Sequence, residues 1–69
     1  MSEGLNMIGQ QIRKIRTERG LTQLYLARQL HCEQATISMY ERNMRDVDPD
    51  TIVKLKHIFN CEYAELLEG

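Results

Sequence analysis

The apolar residues of this 69-residue chain recur with the period of an α-helix from one end to the other. Ile8, Ile12 and Ile15 fall at i, i+4 and i+7, one stripe of a helix running from about Leu5 to Arg19. Gly20 ends it, because glycine takes positive φ at no steric cost. Thr22 is placed to cap a second helix, whose inward face is Leu26, Ala27 and Leu30. Glu33 stands at the N-cap of a third helix, Gln34 to about Arg42, which buries Ile37 and Tyr40. A polar loop, Asn43 to Val47, leads to Asp48-Pro49, a capping residue followed by one with no N–H to lose at the first helical position. Ile52, Leu55, Ile58 and Phe59 give a fourth helix its buried stripe. A short fifth, about Glu62 to Glu68, offers Ala64, Leu66 and Leu67. Nothing alternates as a strand does. Leu30-His31-Cys32-Glu33 and Phe59-Asn60-Cys61-Glu62 look alike, but two similar interhelix turns are too few to mark a solenoid. The pattern predicts a compact all-α bundle of five helices with short connections.

Length and composition narrow this further. A chain of 69 residues is expected to form one domain, 1–69, with its core over about 5–68. At this size only about 60% of the unfolded surface is buried, so the core is thin. A composition of 42% hydrophobic and 28% charged residues is that of an ordinary globular domain, not of a disordered or collagen-like chain. No apolar run approaches the roughly 18 residues of a membrane span. Met1 to Gln10 is neither basic nor continuously apolar, so it does not read as a signal peptide, and the cytoplasm is the expected location. Two cysteines are too few for the disulfide framework of a small secreted domain.

The net charge of −1 hides a gradient: residues 1–45 carry seven Lys/Arg against four acids, and residues 46–69 carry two against six. A positive half and a negative half suit a domain that turns one face to phosphate. Catalysis is not expected. The chain has no phosphate-binding glycine loop, no activated Ser or Cys signature and no His–carboxylate constellation, and nothing calls for a cofactor.

From Ile8 to Leu67 the sequence resembles the helix-turn-helix domain of the lambdoid phage repressors and Cro proteins, the xenobiotic-response-element family. The matching residues are Ile8-Gly9, Ile12-Arg13, Ile15-Arg16, Gly20-Leu21-Thr22-Gln23, Leu26-Ala27, Leu30, Thr36-Ile37-Ser38, Tyr40-Glu41, Pro49 and Leu66-Leu67. The resemblance implies a five-helix bundle of the lambda-repressor-like type, with helices 2 and 3 as the helix-turn-helix. It also implies a sequence-specific duplex-DNA-binding transcriptional regulator, a repressor, that reads the major groove with helix 3, about residues 34–42. Two helices crossing steeply need a small residue where their backbones approach, and Ala27 supplies it. Ile37 faces the core, which leaves Gln34, Ala35, Ser38 and Met39 outward as the base-contacting set.

Within the resemblance each residue takes an expected role. Gln34 can pair with N6 and N7 of adenine. Ala35 offers only a methyl, and Ser38 can bond a base or a phosphate. Met39 falls where relatives often carry a polar or basic residue, and it either packs against a thymine methyl or tucks into the core edge or a partner. Gln23 matches the family's phosphate-clamping Gln, and Thr22, Thr36, Arg13, Arg42, Asn43 and Arg45 are the other phosphate candidates. Arg16 and Glu41 match a partly buried salt bridge whose role is structural. The expected partner is double-stranded DNA with a palindromic operator, bound by a homodimer formed through the C-terminal helices.

Some positions depart from the family pattern. His31 and Asn43 replace common glycines, Lys56 replaces a buried alanine, and Leu24 and Tyr25 stand where the family is polar. If Leu24 and Tyr25 are both exposed they form a small sticky patch. A metal site from His31, Cys32, His57 and Cys61 is not expected, since the two cysteines fall where relatives place a small buried apolar residue. The rival to a DNA reader is a protein-interaction module of the same fold, an antitoxin or antirepressor type of partner with secondary DNA binding.

Overall fold

The computed structural model describes the backbone from Glu3 to Glu68 and the side chains from Ile8 to Leu67. Five helices follow one another: α1 Glu3–Glu18, α2 Gln23–Gln29, α3 Gln34–Glu41, α4 Pro49–Phe59 and α5 Tyr63–Glu68. No strand occurs among the described residues. Helix α1 packs across α3 and α5, α2 packs on α3, and α4 leans on α5. The stripes read from the sequence meet at one core of Ile12, Ile15, Leu26, Ala27, Leu30, Ile37, Tyr40, Ile52, Leu55, Phe59 and Leu66. Ile8, Ile58 and Leu67 pack half-buried at its edge. Ala64, expected to face inward, is exposed. A helix of six residues turns less than twice, so Leu66 and Leu67 already fill the face it can bury.

The first four helices end in the same way, and this sets where the next one starts. A left-handed residue follows each helix: Gly20 (φ 71°), His31 (57°), Asn43 (58°) and Asn60 (52°), the last being itself the C-cap of α4. In each case its N–H and that of the residue after it turn back onto the last helical turn, a Schellman closure. Gly20 donates to Thr17 and Leu21 to Arg16; His31 donates to Arg28 and Cys32 to Ala27. Asn43 donates to Tyr40 and Met44 to Met39; Asn60 donates to His57 and Cys61 to Lys56. The motif places an apolar side chain after the left-handed residue back against the helix. Leu21, Cys32 and Cys61 pack there against the core, whereas Met44 stays 65% exposed. The likeness of the two cysteine-containing turns is therefore a shared exit geometry. Burial is the main influence raising the pKa of both thiols, in keeping with cysteines used as small apolar residues.

Helix starts are capped as the residue types dictate. Thr22 Oγ1 accepts from the Tyr25 N–H at 3.0 Å. Asp48 Oδ1 accepts from the Thr51 hydroxyl at 2.7 Å and Oδ2 from the Thr51 N–H at 3.2 Å. These bonds hold the Asp48 carboxyl below its ordinary pKa, so this cap is in place above the usual carboxylate range and is lost on acidification. Glu33 occupies the N-cap of α3 but makes no side-chain capping bond. At α5 the Glu62 N–H donates instead to Glu65 Oε1 at 2.8 Å, one half of a capping box.

His31 is the one left-handed residue of the four that is neither Gly nor Asn, and its side chain is exposed. A left-handed backbone costs an L-residue with a Cβ about 1–2 kcal/mol, part of which a glycine gives back as unfolded-state entropy. His31→Gly is expected to raise stability by about 0.5–1 kcal/mol in urea denaturation; a loss of stability would show that the His31 side chain contributes something its exposure conceals.

Candidate nucleic-acid interface

The chain from α2 to α3 turns within four residues, Leu30 to Glu33, and the closure at His31 sets the direction in which α3 leaves. Leu26 and Ala27 of α2 and Ile37 of α3 are essentially inaccessible to solvent, so the two helices meet through their centres. Ile37, Tyr40 and Glu41 form the inward side of α3. The opposite side and the start of the helix are open: Gln34, Ala35 and Arg42 are exposed, and Thr36, Ser38 and Met39 are half-buried. Met39 is thus neither fully tucked away nor fully presented.

A chain of polar contacts runs from the interior to the tip of α3. Arg16 Nε donates to Glu41 Oε2 at 2.6 Å and Nη2 to Oε1 at 3.1 Å, the only ion pair among the described residues. Arg16 Nη1 also donates to the Leu21 carbonyl at 2.8 Å, so the guanidinium ties together α1, the α1–α2 turn and α3. The carboxylate of Glu41 takes a third bond, from Gln23 Nε2 at 3.1 Å. Gln23 Oε1 in turn accepts from Gln34 Nε2 at 3.4 Å.

The remaining candidates fall into two groups. Some already hold a partner within the fold. Thr22 is engaged as a cap, and Asn43 Oδ1 accepts from the Gly9 N–H at 3.2 Å. Arg45 lies with its guanidinium 6.0 Å from the centre of the Tyr40 ring, a cation–π distance. Arg13 and Arg42 are exposed on α1 and at the end of α3. Sequence reasoning missed the stacking of Arg45, because nothing in a loop sequence says which ring its arginine will cover. It also missed the double engagement of Gln23, which depends on α2 and α3 crossing where they do.

Two short helices packed centre to centre, the second anchored by a buried isoleucine and open along its outer side, are a helix-turn-helix. The helix-turn-helix family model matches residues 12–66, and the chain belongs to that family in its Cro and CI type. It is similar to the HTH-type transcriptional regulator ImmR of Bacillus subtilis (strain 168), with 35% identity over 60 residues. That match takes in 87% of this chain and 47% of the relative, so the chain spans about half the length of the curated relative it matches. Among solved structures it is similar to the restriction-modification controller protein C.AhdI from Aeromonas hydrophila. The TM-score is 0.81 at 30% identity, over 96% of this chain and 98% of that one. The fold is the lambda-repressor-like one that the resemblance implied. Among the described residues no helix is long and apolar enough to cross a membrane, and no three His, Cys, Asp or Glu side chains gather as a metal site requires.

Proposed function

We propose that this chain is a sequence-specific duplex-DNA-binding transcriptional regulator, a repressor, which enters the major groove with α3. The observation that carries the reading is the two-sidedness of α3: Ile37 is fully buried while Gln34 and Ala35 stand exposed at the leading end. A helix held by one face and free on the other, with a long donor–acceptor side chain at its tip, is the shape that major-groove readout requires. The descriptions of ImmR as a transcriptional regulator and of C.AhdI as a controller protein support it. Base contacts fall to Gln34, Ala35, Ser38 and Met39. Phosphate contacts fall to Gln23, Thr22, Thr36, Arg13, Arg42, Asn43 and Arg45. Residues 1–69 act as one domain in the cytoplasm, and two copies join through α4 and α5, where Val53 and Tyr63 are exposed, to match a palindromic operator. A second reading, a protein-interaction module, is favoured by the adjacent exposed Leu24 and Tyr25 on α2.

Selection from a pool of random duplexes at low and physiological salt tests the proposal. A palindromic site is expected. Gln34→Ala should erase the preference at one base pair per half-site, worth about 1–3 kcal/mol. Arg42→Ala should weaken all sequences alike and reduce the salt slope by about 1. Binding without any enriched sequence, or no binding at all, would sink the DNA-reader proposal and leave the interaction module standing.

A further inference from the structure

We infer that Glu33, the residue just before α3, is a specificity residue of the interface: its free carboxylate selects cytosine in the major groove and weakens binding wherever another base stands at that position. The inference rests on the proposed major-groove reading and adds to it a contact whose effect on affinity is opposite in sign to the others.

Glu33 stands at an N-cap but does not cap. Its backbone is extended there (φ −88°, ψ 154°), as it is at Thr22 and Asp48. At those two positions the side-chain oxygen accepts the N–H three residues on, from Tyr25 and from Thr51. At α3 the matching N–H, that of Thr36, donates instead to the Glu33 backbone carbonyl at 2.9 Å, and the side chain makes no capping bond. Glutamate is one methylene longer than aspartate, the acid that caps well, and that length carries its oxygens past the first turn. The charge is not neutralised either, since Arg16–Glu41 is the only ion pair among the described residues. Glu33 is exposed, and so is Gln34 beside it, at the end of α3 proposed to enter the groove. A carboxylate with neither a capping bond nor an ion pair therefore stands next to a proposed base contact.

The chemistry of the four bases decides which of them it fits. A carboxylate accepts hydrogen bonds and donates none. On the major-groove edge guanine presents two acceptors, thymine presents one, and adenine sets an acceptor beside its amino donor. Cytosine presents its N4 donor and no acceptor, so it is the base that Glu33 meets without repulsion. On any other base the same charge lies among phosphates and acceptors with nothing to bond, which lowers affinity. Glu33 thus gives up affinity on duplexes in general and regains it where a cytosine donates to it. Gln34, Ala35, Ser38 and Met39 carry no charge, and discrimination by repulsion falls to Glu33 alone among the residues at this end of α3.

The experiment selects preferred duplexes from a random pool with the wild-type protein and with Glu33→Ala, and locates the base pair at which a cytosine preference disappears. Dissociation constants are then measured on the preferred duplex and on its cytosine-to-thymine variant at that pair. The side chain is exposed and caps nothing, so the variants keep the fold, as circular dichroism would verify. Glu33→Ala is expected to lower the cytosine-over-thymine ratio about tenfold, the size of one discriminating contact, and to bind the thymine duplex more tightly than wild type does. Glu33→Asp keeps the charge but draws it back onto the helix as a cap, so it should lower the ratio as well. A wild-type ratio in Glu33→Asp overturns the inference, because charge without reach would then suffice. Equal tightening of both duplexes by Glu33→Ala, or a selection in which no pair changes its preference, also overturns it while leaving DNA reading intact. A wild-type protein with no preferred duplex removes the reading on which the inference stands, and the inference with it.

Discussion

Replacing Arg16 by methionine is expected to destabilise the fold by about 3–5 kcal/mol, the usual cost of leaving one partner of a buried ion pair alone. Two of the three donors that satisfy the Glu41 carboxylate come from Arg16. Without them Glu41 keeps only the neutral amide of Gln23, in a place where its side chain is 3% exposed. The Leu21 carbonyl also loses the donor from Arg16 Nη1, at the turn that aims α2. A domain of this length has only roughly 3–10 kcal/mol of stability in total, at about 0.05–0.15 kcal/mol per residue, so the variant should be largely unfolded near room temperature. Urea denaturation followed by circular dichroism gives the number. The double variant Arg16→Met/Glu41→Leu should recover most of the loss, since apolar replacement of both partners removes the stranded charge along with the attraction. A loss under about 1 kcal/mol in the single variant would mean that Glu41 reaches water more easily than its surroundings suggest, as exposed pairs do.

How far the sequence anticipated the molecule depends on the range of each interaction. The helices were legible because each has its own stripe, and Ile12, Ile15, Leu26, Leu55 and Phe59 are core positions by periodicity alone. The Thr22 and Asp48 caps were legible because the capped N–H lies three residues away. Gly20 announced its left-handed turn. His31 and Asn43 did so only through the family pattern, and Asn60 only through the likeness of its turn to the one at His31. Long-range polar bonds were the least legible. Gln11 is buried, with its Nε2 donating to the Glu65 carbonyl, 54 residues away, and Arg19 reaches the Phe59 carbonyl across 40. A glutamine beside an apolar stripe gives no sign of which backbone carbonyl will take its proton. In the candidate site, the individual residues were legible through the resemblance, while the connection between them was not. The links from Arg16 through Glu41 and Gln23 to Gln34 exist only because α1, α2 and α3 converge there.

Gly9→Ala is expected to destabilise the protein by about 2 kcal/mol, as overpacking at a tight contact does. In an ordinary exposed helix interior the same change gains about 0.5–1 kcal/mol, so the sign is the test. Gly9 lies in the middle of α1, with a backbone that any residue can adopt, and is buried. What forbids a side chain is the neighbour. A Cβ built there runs into the carbonyl oxygen of Tyr40 and into Oδ1 of Asn43, with the Asn43 Cγ at 2.9 Å. Neither obstacle is the loose end of a long chain. The Tyr40 carbonyl already accepts the Asn43 N–H in the closure of α3, and Asn43 is held in its left-handed backbone while its Oδ1 takes the Gly9 N–H. The strain must be relieved by moving α1 away from α3, which also stretches the Arg16–Glu41 pair that bridges the same two helices. Adding Asn43→Gly to Gly9→Ala removes one obstacle but leaves the Tyr40 carbonyl, so recovery should be partial. Full recovery would place the whole clash on the Asn43 side chain. A stabilised single variant in urea denaturation would mean that α1 and α3 are free to part, and that this close approach does not set the pose of the helix proposed to read DNA.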